Sequence, residues 1–66
     1  MRITENMKKE IYYCIKFVGN TPYCNNECGL SLYSGYSERT VKAVCNKLEK
    51  ENKIHYEKYI GYVINE

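Results

Sequence analysis

ECGLSLYSGYSERTVKAVCNKLEKENKI, residues 27 to 54, carries the punctuation of two helices joined by a tight corner. Gly35 stands where the chain has to turn sharply, and a residue without a Cβ takes the left-handed conformation that such a corner needs. Ser37 follows as a helix cap, its hydroxyl placed to accept a backbone N–H of the next turn. Val41, Val44, Cys45 and Leu48 then recur at the three-four spacing of one buried stripe, which predicts a helix over roughly 38–51. Asn52 closes it, since asparagine is the commonest left-handed terminator after glycine.

Working outward, Asn26 is a candidate cap for the preceding helix, which should run to about Ser34. An earlier helix is expected from a Thr4 cap to Val18, because Met7, Ile11, Cys14, Ile15 and Val18 recur on one face, and Gly19-Asn20 ends it. Thr21-Pro22-Tyr23-Cys24 reads as a short extended connector, because the residue before a proline is pushed out of the helical region. Beyond Asn52 the tail KIHYEKYIGYVINE changes to an alternating pattern rich in tyrosine and β-branched residues. It predicts a hairpin with Ile54–Lys58 opposite Tyr62–Asn65, a short turn containing Tyr59 and Ile60, and Gly61 in its left-handed position.

Sixty-six residues form one domain, 1–66, too small to divide its buried surface between two cores. Function is therefore expected on the surface. No paired carboxylates on an apolar background, nucleophile elbow or phosphate-binding glycine loop is present, so the sequence predicts no enzyme and no cofactor. The net charge is only +2, from 10 Lys and Arg against 8 Asp and Glu, so any case for a nucleic-acid partner rests on how the charges are distributed. No apolar run approaches the roughly 18 residues of a membrane span, and MRITENMKKE is too polar for a secretory signal, so a cytoplasmic protein without a membrane partner is expected. Abundant Lys, Asn, Ile, Tyr and Glu suit an AT-rich bacterial, phage or plasmid genome.

The chain resembles the winged helix-turn-helix proteins. Leu30 and Ser31 fall at the apolar-then-small pair of the positioning helix, Gly35-Tyr36-Ser37 at the turn, and Arg39-Thr40-Val41 at the opening of the recognition helix. Leu48 and Ile54 occupy the core positions before the wing. The resemblance implies an α+β fold of three helices plus a C-terminal β-hairpin wing, with a stub strand at the connector. Gly29 inside the positioning helix and Ser31 in place of the usual alanine depart from the pattern. Because glycine costs about 1 kcal/mol against alanine in a helix, the departure predicts a short or frayed second helix.

Projected at about 100° per residue, the third helix puts Arg39, Ala43, Asn46 and Lys50 opposite the buried stripe, flanked by Lys42 and Lys53, with Glu38, Glu49 and Glu51 to the sides. Arginine pairs bidentately with guanine and asparagine with adenine, lysine and threonine hold phosphates, and a small Ala43 permits close approach. The candidate DNA-binding residues are accordingly Ser37, Arg39, Thr40, Lys42, Ala43, Asn46, Lys47 and Lys50, with Lys58 and Tyr59 near the hairpin tip. Against this stands the ordinary reading of Lys47, Lys50 and Lys53 as the solvated face of any helix. Tyr36 is expected to pack against the core.

Cys14 and Cys45 fall on buried helix faces, where free cysteine behaves as a small hydrophobe. Cys24 and Cys28 have a spacing that begins some zinc sites but lack the usual second pair, so no metal is expected. Tyr56, Tyr59 and Tyr62 are placed for cross-strand pairing. Tyr12 and Tyr13, off the main stripe, suit the underside of the hairpin or a dimer contact. His55 shows no catalytic partner and is read as structural.

The resulting expectation is a sequence-specific double-stranded DNA-binding protein, most simply a small transcriptional regulator acting as a homodimer, with no small-molecule effector. An accessory factor for replication, partition or conjugative transfer would use the same surface. A winged-helix adaptor for protein-protein interaction is the alternative from another class, favoured by the near-neutral charge and the tyrosines.

Overall fold

The computed structural model describes residues 2–19, 21 and 23–65. Three helices, α1 (Glu5–Val18), α2 (Glu27–Ser34) and α3 (Glu38–Lys50), precede an antiparallel hairpin of β1 (Ile54–Glu57) and β2 (Gly61–Ile64). The class is α+β. Each helix begins at the polar residue that the sequence marks for it. Thr4 Oγ1 accepts from Met7 N at 3.1 Å, Asn26 Oδ1 from Gly29 N at 2.8 Å and Ser37 Oγ from Thr40 N at 3.2 Å. A cap of this kind contributes about 1 kcal/mol by satisfying a donor that the helix itself leaves free.

One core gathers a stripe from every element. Ile11, Ile15 and Val18 come from α1, Leu30 from α2, and Val41, Val44, Cys45 and Leu48 from α3, closed by Ile54 of β1 and Tyr62 of β2. Removing each such aliphatic side chain from water contributes on the order of 1.5–3 kcal/mol. Met7, Cys14 and Tyr36 are partly buried against this core, so the stripe of α1 is wet at both Met7 and Cys14. Asn52 takes the left-handed conformation, at φ 60°. The N–H groups of Asn52 and Lys53 return to the carbonyls of Glu49 and Leu48 at 3.0 Å each, an arrangement that satisfies two last-turn carbonyls and aims the chain into β1.

The hairpin differs from its expected form. Glu57 pairs with Gly61, Tyr56 with Tyr62, His55 with Val63 and Ile54 with Ile64, leaving Lys58, Tyr59 and Ile60 as a three-residue loop closed by Ile60 N on Glu57 O at 3.1 Å. Lys58 thus lies in the turn, not in a strand, and two residues have positive φ: Tyr59 at 74° and Gly61 at 108°. Tyr56 and Tyr62 meet edge to face at 5.1 Å, as cross-strand neighbours do, whereas Tyr59 takes no part in that pair. Asn20, expected at the end of α1, and Pro22, expected in the extended connector, lie outside the described residues.

Two glycines determine how the connector meets the rest. Asn25 forms a single parallel bridge to Gly61, with Tyr62 N donating to Asn25 O at 2.8 Å and the Asn25 amide donating to Tyr62 O. A Cβ on Gly61 would stand 2.0 Å from Asn25 O, and one on Gly29 would stand 1.9 Å from Cys24 O. Both positions therefore require the absence of a side chain. Gly29 is not a weak point in α2 but the place where the connector crosses it, and α2 is short, at eight residues.

This reverses the ordinary effect of a helical glycine. Replacing glycine by alanine inside a helix usually stabilises, by about 0.5–1 kcal/mol. Gly29→Ala should instead destabilise, by about 1–3 kcal/mol, as overpacking against an unyielding carbonyl does. Urea unfolding monitored by circular dichroism measures it, and a rise in stability would show that the connector does not press on α2.

Candidate nucleic-acid interface

The orientation of α3 is fixed by its corner. Gly35 ends α2 at φ 86°, and its N–H returns to Ser31 O at 2.9 Å. Ser31 Oγ then donates to Tyr36 O at 2.5 Å, and Tyr36 N donates to Ser34 Oγ at 3.2 Å. The serine at position 31 therefore laces the turn together, a role that alanine could not fill. Tyr36 is half-buried against the core as expected, and its hydroxyl reaches Glu10 Oε2 of α1 at 3.2 Å. Burial first, and that acceptor second, hold the Tyr36 phenol above its ordinary pKa.

From this corner α3 presents Arg39, Lys42, Asn46, Lys47 and Lys50 as exposed side chains, with Ala43 and Thr40 half-buried between them. Ser37 is exposed, yet its Oγ serves as the cap and lies 2.9 Å from Thr40 Oγ1, so these two hydroxyls are engaged with each other. Among the described residues the ion pairs are Lys8 with Glu5 at 2.9 Å, Lys8 with Glu51 at 2.8 Å, and His55 with Glu57 at 3.3 Å. None of them engages Arg39, Lys42, Lys47, Lys50 or Lys58.

Glu51, just past the end of α3, is held by Lys8 of α1, which lowers the Glu51 carboxyl below its ordinary pKa while Glu51 and then Glu5 raise the Lys8 ammonium. Of the two carboxylates adjacent to Lys50 in sequence, Glu49 and Glu51, the second is thereby paired with a cation from α1. Lys58 and Tyr59 form a second exposed group at the hairpin tip, with Lys58 Nζ 5.3 Å from the Tyr59 ring centre. The candidate residues thus divide between one helix and one loop.

Several contacts were not legible in sequence. His55 Nδ1 bonds Asn65 Oδ1 and its Nε2 faces Glu57, while Asn65 Nδ2 donates to Asn52 O at 2.9 Å and Asn65 N to Lys53 O at 3.0 Å. Asn65 therefore ties the end of β2 to the residues that close α3, and His55 of β1 holds the Asn65 side chain. Tyr62 donates from its hydroxyl to Glu27 at 3.2 Å, and burial raises its pKa. Tyr12 packs on the core, whereas Tyr13 stands exposed and stacked on Phe17 at 6.3 Å. An open groove of about 430 Å³ separates α1 from the end of α3, lined in part by Lys9, Tyr12, Tyr13 and Lys53.

The cysteines occupy three environments. Cys45 is buried and its thiol is pushed up to about 12 by desolvation, Cys14 is half-buried and also raised by desolvation, and Cys24 and Cys28 are exposed. All four are free thiols, and among the described residues no three of the His, Cys, Asp and Glu side chains gather as metal ligands would. No described helix is long and apolar enough to cross a membrane. Comparisons with protein families, with curated proteins and with solved structures found no match to this chain.

The histidine network carries a pH dependence of definite sign. Its hydrogen bond to Asn65, and then that to Glu57, raise the His55 pKa above 6.5. A raised folded-state value means that the contribution is complete below the unfolded value of 6.5 and is lost as pH rises through the folded one. Melting temperature should therefore fall as the pH is taken from about 5 to about 8. His55→Gln, removing the chain's one histidine, should flatten that slope, and proton NMR of the imidazole should place its midpoint above 6.5. A midpoint below that value would remove the network.

Proposed function

We propose that the chain is a winged helix-turn-helix protein that binds double-stranded DNA with sequence preference, most simply as a small transcriptional regulator working as a homodimer. The observation that carries this reading is the outer face of α3, where Arg39, Lys42, Lys47 and Lys50 stand exposed without an ion pair among the described residues while Glu51 is held by Lys8. Three helices, a hairpin and a single strand-like bridge at Asn25 agree with the layout such proteins use.

On this reading Arg39, one residue beyond the start of α3, reads base edges, with Asn46 beside it, and Ala43 lets the backbone approach. Lys42, Lys47 and Lys50 hold phosphates, as does Lys58 from the wing. Ser37 and Thr40, already bonded to each other, position the helix N-terminus against the backbone and do not read bases. A module of this size covers a few base pairs, and a two-fold pair doubles the contacts and sets the half-site spacing. An accessory role in replication, partition or conjugative transfer would use the same contacts.

The adaptor reading draws on the exposed Tyr13–Phe17 stack and on Leu32 and Tyr33 of α2, apolar groups that a DNA surface has no use for. Binding to mixed genomic fragments at two salt concentrations separates the two. A steep loss of affinity with salt supports phosphate contacts, and indifference to DNA at low salt supports the adaptor.

Arg39→Ala should weaken binding to a selected site more than binding to random DNA, by about 1–3 kcal/mol of discrimination. Lys50→Ala should weaken both alike and reduce the salt slope by about one counterion. Titrations of both variants on both DNAs measure this. Equal losses for Arg39→Ala would take that residue out of base readout, and no loss would take it off the interface.

A further inference from the structure

The hairpin tip is built against the interests of the fold. Tyr59 has φ 74°, a left-handed conformation that side chains other than glycine and asparagine adopt at a cost. It is also 93% exposed, and Ile60 beside it is 60% exposed. Among the described residues it takes part in none of the ring-ring pairs that hold the other aromatics. Glycine would meet the backbone requirement of this turn without strain, and the chain uses glycine two positions later. A large ring that is strained, solvated and stacked on no other ring adds little to the folded state, and such features gather where a surface meets a ligand.

We propose, resting on the DNA-binding reading above, that Tyr59 is a wedge that enters the minor groove and inserts partly between two base pairs, unstacking them and bending the duplex. Apolar and aromatic side chains carried on a narrow element act in this way, and Ile60 supplies a second apolar surface against the sugars. The ligand chemistry is indicated by Lys58, whose ammonium lies 5.3 Å from the ring centre. A cation beside a flat ring matches a phosphate beside a base. The hairpin is narrow at this point, with only three residues between the paired Glu57 and Gly61, so the ring stands at its extremity. Steps that unstack easily, pyrimidine followed by purine, are the expected insertion points, which gives the tip a sequence preference without hydrogen bonds to bases.

The test uses the full chain and a duplex of about 30 base pairs with a central TA step, the size on which bending of a single site is read. The adenine of that step is replaced by 2-aminopurine, whose fluorescence rises on unstacking, and the ends carry a donor and an acceptor dye. The wild-type chain should raise the 2-aminopurine signal and shorten the end-to-end distance. Tyr59→Phe should preserve both effects. Tyr59→Gly should abolish both and weaken binding roughly tenfold, the loss expected for one stacked base, while its melting temperature does not fall, because glycine relieves the turn. Binding by the wild-type chain without either signal would overturn the wedge and leave the DNA reading intact. Failure of the wild-type chain to bind the duplex at low salt would overturn both.

Discussion

The structure depends on a backbone passing between two missing side chains. Cys24 and Asn25 run so close to Gly29 on one side and Gly61 on the other that a single Cβ at either place would lie about 2 Å from a carbonyl oxygen. The connector is thereby pressed against α2 and hydrogen-bonded to β2 at once, through Tyr62 N and Asn25 O. Hairpin and second helix share this one fixed reference, and α3 follows α2 through a corner laced by Ser31, Ser34 and Tyr36. The relative placement of the helix face and the hairpin tip is therefore a property of the backbone, not of mobile surface contacts.

Packing alone would leave a core this small marginal, since a chain of this length buries only about 60% of its unfolded surface. Long-range polar contacts supplement it. Lys8 joins α1 to the end of α3, Tyr36 joins the corner to α1, Tyr62 joins β2 to α2, and His55 with Asn65 joins the hairpin to the cap of α3. These contacts tie elements far apart in sequence, and most carry a charge or a hydroxyl at the rim of the core, where water screens them and their individual worth is modest. Their joint effect is geometric: they select one arrangement of elements that hydrophobic burial would tolerate in several.

What the sequence disclosed follows from range. Thr4, Asn26, Ser37 and Asn52 announced helix ends because capping acts within three or four residues, and the Val41–Leu48 stripe announced its buried face because helical period is local. The turn was misplaced by one residue because loop length depends on which strand positions pair, and Ile54 finds Ile64 only in three dimensions. Gly29 looked like a defect for a similar reason: its justification is a carbonyl that is distant from it until α2 forms. For the candidate surface, the basic stripe was readable from periodicity, while the withdrawal of Glu51 by Lys8 was not, since 43 residues separate the pair.

The distribution of thiols gives the molecule an internal reporter. A cysteine is alkylated through its thiolate, so Cys45, buried and with its pKa pushed up to about 12, is protected twice over, and Cys14 is partly protected for the same reasons. Cys24 and Cys28 are exposed and flank Asn25 and Asn26, the residues that fasten the hairpin and cap α2. A maleimide applied to the native protein marks the junction and spares the interior. Subsequent labelling of Cys45 then times the opening of the core, so a single reagent distinguishes disturbance at the junction from unfolding of the whole.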